Sequence, residues 1–95
     1  MTETFARWDA TEHLHTEEDV RLYLEACAEE DPGDGSLIRA ALNDIARARN
    51  MSRLARDAGM TREGLYKALS ENGNPTLATV TRIARALGMR VRITV

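Results

Sequence analysis

The stretch MSRLARDAGMTREGLYKALSE, residues 51–71, decides how this chain is read. Leu54, Ala55 and Ala58 share one face of a short helix, with Ser52 placed to cap it. Gly59 ends that helix, since glycine readily takes the left-handed conformation that follows a last helical turn. Thr61 can cap a second helix, in which Leu65, Ala68 and Leu69 recur at helical spacing. Ala55 is small where the two helices must cross closely. Met60, Leu65 and Leu69 anchor the second helix to a core. Two helices joined by a tight glycine turn make a helix-turn-helix, which can lay its second helix in the major groove of DNA.

If that helix enters the groove, its outward side chains near the N-terminus do the reading. These are Arg62, Glu63, Tyr66 and Lys67. Arginine bonds bidentately to guanine, glutamate accepts from cytosine N4, and lysine reaches guanine or phosphate. Thr61 has two uses, helix cap and phosphate contact, and the cap alone would account for it. Ser52 and Arg53 open the preceding helix, whose N-terminal amides can face a phosphate. Asn72 and Asn74 lie just past the reading helix. They suit either a backbone contact to DNA or a plain turn, for which asparagine is favoured.

Working outward, Thr16 and Asp19 resemble a capping box, and Val20, Tyr23, Leu24 and Cys27 then form one face of an amphipathic helix ending near Asp31. Pro32-Gly33-Asp34-Gly35 breaks the chain. Ser36 can cap the next helix, with Leu37, Ile38, Ala41, Leu42 and Ile45 on its buried face and its end near Arg49-Asn50. Beyond the reading helix, Asn72-Gly73-Asn74-Pro75 is a turn. Thr76 opens a further helix with Leu77, Val80, Ile83, Ala84 and Leu87 on one side, closed by Gly88. Met89, Val91, Ile93 and Val95 alternate with Arg90, Arg92 and Thr94, which predicts a short C-terminal strand. Such a strand needs a neighbour: the N-terminal arm, or its own copy across a two-fold axis. The expected fold is all-α, five helices with an N-terminal helical extension and that C-terminal strand.

A net charge of −2 is unusual for a nucleic-acid binder, but it averages two unlike halves. Residues 1–35 carry 11 Asp and Glu against 2 Arg, a net of −9, and residues 36–95 carry 4 against 11, a net of +7. The expected organisation is therefore an acidic arm and helix over 1–35, packed on a basic body over 36–95. One cysteine, Cys27, permits no intrachain disulfide and fits a reducing cytoplasm. It is expected to behave as a small buried apolar residue. No apolar run approaches a membrane span and no secretory signal is evident, so a cytoplasmic location is expected. His13 and His15 are too few for a zinc site, and are read as surface residues. Phe5 and Trp8 are expected to pack the arm onto the body, with a partner contact as the alternative. No phosphate loop, activated nucleophile or paired carboxylates can be identified, so neither catalysis nor a cofactor is expected.

Residues 36–95 resemble the Xre type of helix-turn-helix domain found in lambda repressor and Cro, through MSRLARDAGMTREGLYKALSENGNPTLATVTRIARALGM. More narrowly, the whole chain resembles the HigA-like family of addiction-module antidote proteins. The resemblance joins the YLEACAEED helix to ALNDIARARNMSRLARDAGMTREGLYKALSENGNPTLATV, and REGLYKALSENGNPT is its most specific part. It implies an antitoxin that neutralises a small basic RelE-type toxin, a ribonuclease acting on mRNA, and that represses its own operon; the helix-turn-helix itself predicts a homodimer on palindromic double-stranded DNA. The resemblance implies base reading by Arg62, Glu63, Tyr66 and Lys67 and phosphate contact by Ser52 and Thr61. Gly64 departs from the family, many members of which carry serine there. The acidic helix, with Glu17, Glu18, Glu25, Glu29 and Glu30, then becomes a candidate cover for the basic toxin, against the plainer reading of a solvated acidic face. Two other readings remain: an Xre-type regulator without a toxin, and a protein-interaction module that has lost DNA binding.

Overall fold

The computed structural model describes residues 13–93. Five helices follow one another: α1 (Glu17–Glu30), α2 (Ser36–Arg49), α3 (Met51–Asp57), α4 (Arg62–Leu69) and α5 (Leu77–Ala86). The all-α class is as expected. The chain divides into two compact units, one ending at Ala48 and the other beginning at Arg49. Phe5, Trp8, Thr94 and Val95 lie outside the described residues.

In the first unit, Thr16 Oγ1 accepts from the Asp19 amide at 3.0 Å and Asp19 Oδ2 accepts from the Thr16 amide at 3.1 Å. The anticipated capping box is closed, with Asp in place of the usual Glu. Val20 is buried, while Tyr23, Leu24 and Cys27 are half-buried on the anticipated face. Cys27 is therefore less enclosed than expected, and the desolvation it does undergo raises its thiol pKa. Ser36 is not the cap of α2. Asp31 does that work from six residues upstream of Leu37: its Oδ1 accepts from the amides of Leu37 and Ile38 at 2.8 and 3.3 Å. Its Oδ2 accepts from Gly33 and Gly35, both at 2.8 Å, and Asp34 Oδ1 takes the Ser36 amide at 3.0 Å. A carboxylate offers about four acceptor sites against two on a serine hydroxyl, so Asp31 can hold two turn amides and two helix amides at once. Tyr23 donates to Asp44 Oδ2 at 2.6 Å, and Arg47 pairs with the other oxygen at 2.8 Å, so α1 and α2 are tied side chain to side chain. Burial first, and then the Asp44 carboxylate, raise the Tyr23 pKa and keep it a donor.

In the second unit, α3 packs on both α4 and α5. Its core is Met51, Leu54, Ala55, Ala58, Leu65, Leu69, Ile83, Ala84 and Leu87. Ser52 does not cap α3. Asn50 does, its Oδ1 accepting from the Arg53 amide at 3.1 Å, and it holds a φ of +94° to do so. Thr61 and Thr76 cap α4 and α5 as expected, accepting from Gly64 at 2.9 Å and Thr79 at 3.1 Å. Leu77 was expected inside but is 69% exposed. It is the first residue of α5, and a helical side chain leans toward the N-terminus, here past the end of the packed face.

The C-terminal strand is not formed over residues 89–93, which carry no regular structure. A strand exists only when its backbone groups pair with a neighbour. Among the described residues there is no strand to supply one.

Candidate nucleic-acid interface and acidic helix

Helix α4 is held from one side and open on the other. Leu65 and Leu69 are fully buried. Arg62, Glu63, Tyr66 and Lys67 fall at i, i+1, i+4 and i+5, one face of the helix, and all four are exposed. Tyr66 is 63% exposed, unusual for an aromatic with nothing to cover it. The turn before α4 is fixed by its backbone: Gly59 takes φ +73°, its amide donates to Arg56 at 3.0 Å, and Met60 donates to Ala55 at 2.8 Å. Thr61 is exposed, and its hydroxyl oxygen is occupied as a cap while its proton stays available to an acceptor such as phosphate. A Cβ added at Gly64 would meet that Thr61 oxygen at 2.9 Å, so the residue at 64 and the cap of α4 are sterically coupled.

Ser52 and Arg53 are exposed in the first turn of α3, but the Arg53 amide is already bonded to Asn50. That amide is not free for a phosphate; the Arg53 guanidinium is. Asn72 and Asn74 are exposed in the turn after α4. Between them Gly73 is sterically required, because a Cβ there would run into the backbone carbonyls of Ala68 and Lys67. All nine residues expected at a DNA interface thus belong to the second unit and all are solvent-accessible. Residues 49–95 hold nine Arg and Lys against three Asp and Glu, a net of +6. Among the described residues Arg53, Arg62 and Lys67 form no ion pair. The unit is a cationic surface with uncommitted side chains.

The first unit is the electrostatic opposite. Residues 1–48 hold twelve Asp and Glu against four Arg, a net of −8. Glu17, Glu18, Glu25, Glu29 and Glu30 are all exposed on α1. They are not equivalent. Arg21 grips Glu18 at 2.7 Å and Glu25 at 3.0 Å, offsetting part of their charge, whereas Glu17, Glu29 and Glu30 have no ion pair among the described residues. Leu22 is half-exposed on the same outward face as Glu18, Glu25 and Glu29. Sequence reasoning missed it, although the signal was present: Leu22 is an apolar residue outside the Val20, Tyr23, Leu24, Cys27 stripe. His13 and His15 are exposed, as expected. Among the described residues no group of three or more His, Cys, Asp or Glu is placed to hold a metal, and no helix is long and apolar enough to cross a membrane.

The class defined by these features is a small all-α protein with a cationic unit and an anionic helix. Residues 4–95 match the family described as "Probable addiction module antidote protein", and the chain belongs to that family. It is 54% identical over 93 residues to an uncharacterized protein of Haemophilus influenzae, an overlap covering 98% of this chain and 94% of the relative. No solved structure matches the chain.

Proposed function

We propose that this protein is the antitoxin of a type II toxin–antitoxin module. In this reading it neutralises a small basic RelE-type toxin and represses its own operon by sequence-specific DNA binding, acting by binding and not by catalysis. Membership of the antidote family supports the toxin partner. The observation that carries the DNA-binding half is α4: two fully buried leucines anchor it, and its opposite face offers Arg62, Glu63, Tyr66 and Lys67 to solvent. The HigA-like, lambda-repressor-like character of the helix pair belongs to the same proposal. Two copies would act on a palindromic operator with half-sites about 34–36 Å apart. Arg62, Glu63, Tyr66 and Lys67 would read bases, with Ser52, Arg53, Thr61, Asn72 and Asn74 on the backbone. The carboxylates of α1 would meet the toxin.

Gly64 leaves one position of α4 without a side chain, which favours a second reading, a protein-interaction module without DNA binding. Co-expression with a small basic protein encoded next to this one separates the possibilities. The proposal expects a stable complex, relief of growth arrest, and binding of a promoter fragment by the complex. A complex that relieves arrest but leaves the promoter unbound selects the second reading. No complex at all removes the RelE-type partner.

A further inference from the structure

Residues 89–93, Met-Arg-Val-Arg-Ile, leave α5 through Gly88. The Met89 amide donates to Ala84 at 2.8 Å, and beyond it residues 90–93 make no backbone hydrogen bond among the described residues. Val91 is 46% exposed and Ile93 92% exposed. Exposed β-branched residues alternating with arginines, with no backbone partner among the described residues, have the pattern of a strand that lacks its neighbour. The pattern also says which neighbour fits. By residue class the segment reads the same in both directions about Val91. An antiparallel copy related by a two-fold axis there sets Val91 against Val91 and Met89 against Ile93 on one face. The same pairing sets Arg90 against Arg92, twice, on the other face. Moving the axis to residue 90 or 92 still places an arginine opposite an arginine.

We propose that a second copy of this chain pairs antiparallel along residues 89–93, and that its arginines oppose the pairing until anions screen them. The proposal deepens the dimer reading above and rests on it. Three apolar side chains from each copy fall well short of the roughly 1,200 Å² that stable interfaces bury, so the seam is weak and open to modulation. Like charges set directly opposite weaken a strand pair, and two such pairs correspond to about a 2- to 30-fold effect on association. Screening shortens from about 14 Å near 50 mM salt to about 4 Å near 500 mM. Dimerisation of this chain therefore strengthens with salt, opposite in sign to DNA binding.

Sedimentation equilibrium of the full chain at the two salt concentrations tests this, with helical circular dichroism confirming the fold. The wild-type dimer should tighten at the higher salt by a measurable factor of at most about 30-fold, since screening removes only part of a repulsion acting over about 5 Å. Arg90→Thr with Arg92→Thr should dimerise tightly at low salt and lose the salt response. Val91→Asp with Ile93→Asp, both at exposed positions, should be monomeric at either salt. A Val91→Asp, Ile93→Asp protein that dimerises like wild type overturns the seam and leaves the dimer reading standing. A wild-type chain that stays monomeric at both salts overturns seam and dimer together. A salt response unchanged in the arginine variant overturns the role given to the guanidiniums.

Discussion

Asp31 gathers four amides on one carboxylate, and that makes the turn before α2 sensitive to acid. Partial desolvation pushes its pKa up, but the bonds from Gly35, Gly33, Leu37 and Ile38 outweigh this and hold it below its ordinary value of 3.8. Between the lowered value and 3.8 the folded chain binds fewer protons than the unfolded one. The stabilisation is therefore complete above 3.8 and is lost as pH falls through the folded value. Asp31→Asn should lower the thermal midpoint at neutral pH, and the gap from wild type should close as pH drops below 3.8. A gap that persists in acid would show that shape, not charge, matters at this position. At Gly73 the constraint is steric, because a Cβ would collide with the carbonyls of Ala68 and Lys67. Gly73→Ala should cost about 1–3 kcal/mol in urea denaturation, as for other forced overpacking; an unchanged midpoint would mean that the turn yields. Residue-scale legibility followed distance along the chain. The caps at Thr16, Thr61 and Thr76 were readable because their partners lie three residues away. Ser36 was misassigned because Asp31 takes the Leu37 and Ile38 amides of α2 from six and seven residues upstream. Ser52, by contrast, was misassigned although its rival Asn50 bonds only three residues on, because α3 already begins at Met51. The Tyr23–Asp44 bond spans 21 residues, and no local pattern announces it.

At the scale of the element, all five helices were readable, since burial on one face imposes a 3.6-residue period that a single sequence displays. The strand was not, since alternation records a capacity to pair and not the presence of a partner. The candidate site divides similarly. Helical spacing already separated the anchors Leu65 and Leu69 from the outward face of α4. Arg62→Ala should weaken specific promoter binding by about 1–3 kcal/mol while sparing random DNA. Equal loss on both would reassign Arg62 to the phosphate backbone. On α1 the sequence treated five glutamates alike, and only side-chain positions reveal that Arg21 ties up Glu18 and Glu25. The unpaired Glu29 and Glu30 are thus the stronger candidates for toxin contact. Glu29→Lys with Glu30→Lys should slow association with the toxin, measured by stopped flow at low salt, more than Glu18→Gln with Glu25→Gln does. The reverse order, or unchanged rates for both, would return α1 to a solvated face.

For the whole molecule, the division after Ala48 preserves the charge split seen along the chain, slightly reduced because Asp44, Arg39 and Arg47 fall in the first unit. One unit carries −8 and the other +6, so a net charge of −2 conceals a cationic body able to meet phosphates. Fields of opposite sign on one chain suit opposite partners, a nucleic acid for one unit and a basic protein for the other. DNA binding by the second unit is the claim on which most of this account turns. Fluorescence anisotropy of the full chain on its own promoter, against a scrambled duplex of equal length across a salt series, tests it most directly. The account predicts promoter binding roughly 1,000-fold or more tighter than scrambled, with affinity falling by a log–log slope of about −0.9 per phosphate neutralised. Equal affinity for the two duplexes, or no binding to either at low salt, would contradict it.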